Sequence, residues 1–384
     1  MTKDPTILVG TTKGAFLIRN GPDGWTVDGP HAGGWPINHV KGEPATGHIW
    51  AGGGNAFFGA GVWRSTDGGA TWTNARLTKG EVDAWAEAEP EVAEMLGIDT
   101  SEPAPFGDAF NSVWSIGLSN GTLYAGTRPA QLLASTDGGA TWTMNTALEG
   151  FDGRGDWSGG AAGLTLHTIV PDPARPARLW LGISAAGVFA TEDGGKCWER
   201  RNRLSNAEAS GHHHHPAAPR NGQTGHCVHN MVRARGTGGD TLYQQNHHGV
   251  WRSRDGGRSW DDITGGLPST FGFPIAVHPH DDDTLWTLPL NGDSAGRFPP
   301  GAAAAVWRST DAGETWEAMR TGLPQQGCFF TVLRQAMATD DSEAGGVWFG
   351  TNTGSVFGSH DAGETWTEIA RHLPTILSVE TLTT

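Results

Sequence analysis

The stretch GVWRSTDGGATW at residues 61–72 decides the fold, because it returns along the chain. Its core recurs as STDGGATW (135–142), TEDGGKCW (191–198), SRDGGRSW (253–260), STDAGETW (309–316) and SHDAGETW (359–366). A degenerate copy opens the chain in TILVGTTKGAFLIRNGPDGW (6–25), which keeps Gly14, Asp23, Gly24 and Trp25 but lacks the serine. Apolar pairs such as Val62-Trp63 and Val250-Trp251 precede the turns, and runs such as HIWAG, TLYAG and GVWFG precede those pairs. Each unit reads as strand, Gly-rich loop, strand, Asp-Gly turn and strand, with a further alternating strand in front, as in LTLHTIV (164–170). Four short strands on a period of roughly 50–70 residues spell a propeller blade.

Seven units predict an all-β, seven-bladed β-propeller of four-stranded blades in one domain over 1–384. The blades are expected near 6–28, 35–75, 111–145, 163–201, 226–263, 271–320 and 328–370. The first unit lacks its inner strand, so residues 376–382 are expected to supply it and close the ring. Closure removes the unpaired edges that an open sheet would expose.

The repeated turn has a physical reading. Its Asp and Ser side chains can bond turn N–H groups, Gly can supply positive φ, and Trp packs on neighbouring strands. One such device per blade serves the scaffold, not a single active site. Tryptophan usage agrees: of 18, only Trp35, Trp85, Trp114 and Trp157 lie off the repeat positions.

The pattern S-x-D-x-G-x-T-W resembles the Asp-box, or BNR repeat, of sialidases, sortilin-type receptors, xyloglucanases and a photosystem II assembly factor. Over nearly its whole length the chain resembles single-domain bacterial BNR-repeat proteins described as sialidase-like or glycosyl hydrolase. That resemblance implies the propeller, while Asp-boxes accompany unrelated activities. The sialidase members use a Tyr nucleophile paired with Glu, an arginine triad and an acid Asp. Here both tyrosines, Tyr124 and Tyr243, sit in TLY runs where sister repeats carry Trp180 and Trp286, and Arg19 belongs to a strand of the first blade. True sialidase chemistry is therefore not expected.

Composition narrows the partners. A formal charge of −15 with no basic run argues against nucleic acid and anionic membranes. The odd set Cys197, Cys227 and Cys328 reads as reduced thiols of a cytoplasmic protein. No run reaches the ~18–20 apolar residues of a membrane span. The expected state is a monomer or weak homo-oligomer.

Function is expected on one rim. Long insertions at 52–61, 75–110, 148–163, 206–226 and 289–304 all fall on loops that open on the same propeller face. Eight of 16 histidines lie between 212 and 248, including His212–His215, His226, His229, His247 and His248. Aligning the inner strands puts His167, His229, Asn38, Trp114, Phe273 and Gln335 at one channel-facing register, with Glu380 assigned to the closing strand. His39 falls one residue out of phase and is expected in a blade interface.

From this follow the candidate sites. His167, His229, His247 and His226 are candidate ligands for a divalent transition metal, with Glu380 or His247 completing a site begun by His167 and His229. A water-filled polar channel is the bland alternative. Asp156, Glu380 and Arg154 are the candidate catalytic residues. Trp157, Trp114, Arg128, Asn246, Asn38 and Gln335 are the candidate ligand-binding residues. The leading expectation is a cytoplasmic propeller with a small-molecule site at the channel mouth, enzymatic through a metal. The alternative is a carbohydrate-directed hydrolase or sugar binder using Asp156, Trp157 and Arg154, since glycosidases need two carboxylates across a cleft. The third reading is a non-catalytic interaction scaffold using the acidic helix at 82–96.

Overall fold

Seven four-stranded antiparallel sheets form the chain, one for each sequence unit. The structure, a computed structural model, describes residues 4–96, 98–157, 159–160, 163–201, 227–236 and 240–384. The His212–His215 run and His226 lie outside the described residues. Strands follow the alternating, β-branched and aromatic runs of the repeat, and the turns follow its Gly and Asp positions. Blade 1 is Thr6–Thr11, Gly14–Gly21 and Gly24–His31, completed by Ile376–Leu382 against Thr6–Thr11. In that pairing Leu8 faces Glu380, Val9 faces Val379 and Gly10 faces Ser378. The ring is therefore closed by the chain's last strand.

The inner strands surround the axis. In blades 2 to 7 they are Ile37–Gly42, Ser112–Ser119, Leu166–Pro171, Val228–Arg233, Gly272–Val277 and Met337–Thr339. Pairing with the second strand slips at the same place in five of these: between Ile37 and His39, Val113 and Ser115, Leu166 and Thr168, Val228 and Asn230, and Gly272 and Ile275. Blade 1 slips likewise between Ser378 and Ile376. A bulge leaves its extra residue unpaired and re-aims side chains. The extra residues are Asn38, Trp114, His167, His229, Phe273 with Pro274, and Leu377.

Apolar side chains between successive blades make the core. Trp180, Trp251, Trp260, Trp286 and Trp348 are fully buried there. Two glycines show how close the blades come. A Cβ at Gly52 would lie 2.5 Å from Val113, and one at Gly126 would lie 2.4 Å from Leu166.

The repeated turn is built as a small hydrogen-bonded cage. In the first full copy Ser65 Oγ donates to Asp67 Oδ1 (2.7 Å) and accepts from Gly69 N–H (2.8 Å). Asp67 accepts from Thr71 N–H (2.9 Å) and Thr71 Oγ (2.6 Å). The copy at 135–142 repeats these four bonds. In the third, Thr191 replaces the serine. The aspartates lie on the exposed side, whereas Ser65 and Ser135 are buried. Second-strand tryptophans then tie the cage to the preceding blade: Trp50, Trp180 and Trp286 donate Nε1–H to the carbonyls of Gly138, Gly256 and Ala362.

The 75–110 insertion carries two short helices, α1 (Glu81–Ala88) and α2 (Pro90–Leu96). Glu81 and Val82 N–H groups bond the carbonyls of Ala56 and Phe57, so this insertion docks on the 52–61 loop. Among the described residues no helix is long and apolar enough to cross a membrane.

Candidate functional site

The bulges generate a polar belt around the axis. Asn38 Nδ2 donates to the Val113 carbonyl (2.9 Å), and Ser115 Oγ donates to that of Leu166 (2.8 Å). Thr168 Oγ1 donates to Asn230 Oδ1 (3.1 Å) while meeting His167 Nδ1 (2.9 Å). His229 Nδ1 bonds the Gly272 carbonyl (2.5 Å), and Asn230 Nδ2 bonds that of Arg334 (2.8 Å). Gln335 Nε2 donates to the His167 carbonyl, which joins blade 7 to blade 4 across the ring. Val379 N–H donates to the Gln335 carbonyl (2.8 Å). Residues 334–335 thus bridge the channel instead of merely lining it, and the belt separates two ends of the axis.

On the short-turn side lies a cavity of about 410 Å³. It is lined by the last residues of the inner strands, among them Lys41, Arg233, Arg235 and Glu380. Here the expectation for Glu380 is corrected. Leu377, not Glu380, takes the bulge position in the closing strand, three residues nearer the other face. The register of this strand shows only in its pairing with Gly10 and Thr11. Glu380 instead meets Lys41 Nζ (2.8 Å) and His39 Nε2 (3.1 Å). Burial works to raise its pKa, but the Lys41 ammonium and the His39 hydrogen bond outweigh that and hold it at about 2. His39 does reach the blade interface, where Nδ1 accepts from Ile116 N–H (2.9 Å). That bond places its proton on Nε2, so His39 donates to Glu380.

At the long-loop mouth stands a different group. Ligand atoms of Cys227, His229 and His247 all lie within 4.8 Å of one another. Cys227 and His229 begin the inner strand of blade 5, and His247 follows its second strand, Leu242–Asn246. His247 Nε2 meets Asp293 Oδ2 (3.1 Å), and Arg297 Nε donates to Asp293 Oδ1 (2.6 Å). Phe271 and Phe273 close around the imidazoles, with ring centroids 5.1 Å from His247 and 4.6 Å from His229. The Arg334 guanidinium lies 4.9 Å from the Phe273 ring centre and interacts favourably with Cys227.

Burial first, and then the Arg334 charge, push the pKa values of His229 and His167 well below the ordinary imidazole value. Both are therefore neutral at pH 7. His167 is not part of the three-residue cluster, and its Nε2 makes no hydrogen bond of normal geometry. Cys227 joins the histidines here, beyond the role of compartment marker that the sequence gives it. The Cys-x-His spacing of Cys227 and His229 was the available sign.

The 148–163 loop does not present its residues as expected. Arg154 donates to the carbonyls of Ala130 (2.6 Å) and Leu148 (3.3 Å) and covers the Trp157 ring at 4.7 Å. Trp157 packs on Phe151 and Phe189. Trp157 thus stands half-buried in an aromatic cluster with Arg154 over its ring. Asp156 faces the Arg200 guanidinium. Arg128 lies over Trp114 at 5.6 Å. Asn246 is buried, with Oδ1 accepting from His248 N–H (2.8 Å) and Nδ2 unpartnered.

No family model matches the sequence. The chain is 25% identical over 296 residues to a xyloglucanase of Hypocrea jecorina, covering 70% of this chain and 30% of that protein. It is 29% identical over 109 residues to an oligoxyloglucan-reducing end-specific xyloglucanase of Emericella nidulans, covering 25% of this chain and 12% of that protein. It thus spans under a third of the length of these curated relatives. Among solved structures it is similar to the GH74 enzyme of Niastella koreensis, with a TM-score of 0.59, 15% identity, and coverage of 98% of this chain and 52% of that one. At that identity the likeness establishes shared architecture alone. The chain is a seven-bladed β-propeller whose relatives in sequence and neighbours in fold include xyloglucanases and a GH74 enzyme.

Proposed function

We propose that this chain is a carbohydrate-directed propeller that takes a saccharide at the long-loop mouth. The observation that carries the reading is the similarity to a xyloglucanase over 296 residues. The mouth chemistry supports it. Phe329 is 68% exposed and meets Phe298 edge-on at 5.0 Å between ring centres, giving apolar faces for sugar C–H groups. Asp293, Arg297 and His247 form a linked set of planar polar groups suited to hydroxyls. Glycoside hydrolysis asks for two carboxyls about 5–10 Å apart across the bond. Asp293 is already engaged by Arg297 and His247, so binding is the activity proposed, with hydrolysis as a further outcome of the same assay.

The test is calorimetric titration of the full chain with xyloglucan oligosaccharides, with reducing-sugar release followed in parallel. Binding weakened at least about 10-fold in Arg297→Ala and Phe329→Ala, with unchanged Tm, is the expected result; that loss corresponds to about 1.4 kcal/mol. Absence of binding across a panel of plant and microbial glycans would sink the reading, as would full affinity in both variants.

A further inference from the structure

We propose that Cys227, His229 and His247 form a transition-metal site that binds a zinc-class divalent ion through one thiolate and two imidazoles. The three ligand atoms already lie within 4.8 Å of one another. Bond lengths of about 2.0–2.3 Å to nitrogen and sulfur allow ligand atoms of one ion to stand at most about 4.4 Å apart. Small side-chain rotations bring the trio to that spacing.

The surroundings suit ligation. The 2.5 Å contact to the Gly272 carbonyl places the His229 proton on Nδ1, which leaves the lone pair on Nε2. The Asp293 carboxylate meets His247 Nε2, a carboxylate–imidazole pair of the kind that fixes ligand rings. The Arg334 guanidinium lies close to Cys227, so a positive charge stands beside the sulfur. Phe271 and Phe273 pack against the two imidazoles and give the site apolar walls.

The donor set selects the metal class. One sulfur and two nitrogens suit zinc or cobalt and do not suit magnesium or calcium, which take oxygen ligands. The three ligands found among the described residues leave one tetrahedral position for a further ligand, water or a bound molecule. This set differs from the expected one: Cys227 enters, while His167 and Glu380 stand outside it. It also does not depend on the saccharide reading, because metal can bind whether or not a glycan does.

Tag-free protein, stripped with chelator and titrated with cobalt(II), supplies the test. A thiolate-to-cobalt charge-transfer band in the near ultraviolet is expected, reaching its plateau at about one equivalent. The sulfur signature separates this site from ions held by other histidines. The band should vanish in Cys227→Ser and persist in Cys197→Ser, whose thiol is exposed on a turn. His247→Gln, at a half-buried position, should fold and bind cobalt about 10–100-fold more weakly. No thiolate band at saturating cobalt would overturn the proposal. A band that survives Cys227→Ser, or unchanged affinity in folded His247→Gln, would overturn it equally.

Discussion

Gln335 Nε2 donates to the carbonyl of His167, a bond that runs across the ring from blade 7 to blade 4. Most propeller contacts join neighbours, but this one joins opposite sides, and both residues are buried. Gln335→Ala leaves the His167 carbonyl without that partner. The expected cost is about 1–3 kcal/mol, seen as a lower urea midpoint with an unchanged slope. An unmoved midpoint would show that water replaces the bridge without loss.

The repeated turns predict an order of damage. Ser135 is buried and serves both Asp137 and the Gly139 N–H, whereas Asp137 faces solvent. Ser135→Ala strands a buried donor and should cost about 1–3 kcal/mol. Asp137→Ala opens its bonds to water and should cost less. Thermal unfolding of the two variants checks this, and the reverse order would contradict the cage as described.

Glu380 gives a pH window. Its folded pKa of about 2 lies below the unfolded carboxylate value of about 4.3, so its stabilisation is complete above that value and is lost as pH falls toward 2. Lys41→Met removes the main attraction and leaves only the His39 hydrogen bond to offset burial. The variant should melt lower at pH 7, with the gap closing as pH falls from about 4.3 to about 2. A gap constant with pH would mean that the Lys41 contribution is packing, not charge.

Ring closure makes a simpler prediction. Removing 376–384 deletes the strand that pairs with Thr6–Thr11 and buries Ile376, Val379 and Leu382. The truncated chain should lose its cooperative thermal transition or melt far lower. A transition at the full-length temperature would show that blade 1 holds with three strands.

The repeat made the blades legible because each strand and turn carries its own local chemistry. The same alignment put Asn38, Trp114, His167, His229 and Phe273 at one register, which the structure resolves as a recurrent bulge. What alignment could not supply was the direction in which a bulge aims its neighbours. His39 therefore reaches both Ile116 and Glu380, and Gln335 crosses the axis. Leu377 replaced Glu380 at the belt because only β-pairing with Gly10 and Thr11 reveals that register. The Cys227 cluster draws on two strands of blade 5 and needs a three-dimensional fold to assemble. Trp157 likewise gains neighbours that no local pattern announces, in Phe151, Phe189 and Arg154.

The indole bonds from Trp50, Trp180 and Trp286 to the turns of the following blades carry an optical consequence. Indole emission shifts to longer wavelength when water reaches the ring, so each of these fluorophores reports one seam. A ring that opens at a single seam would produce a red-shifted emission component while the far-ultraviolet signal of its strands is still intact. Single-tryptophan versions of the chain could then time the parting of three different seams separately.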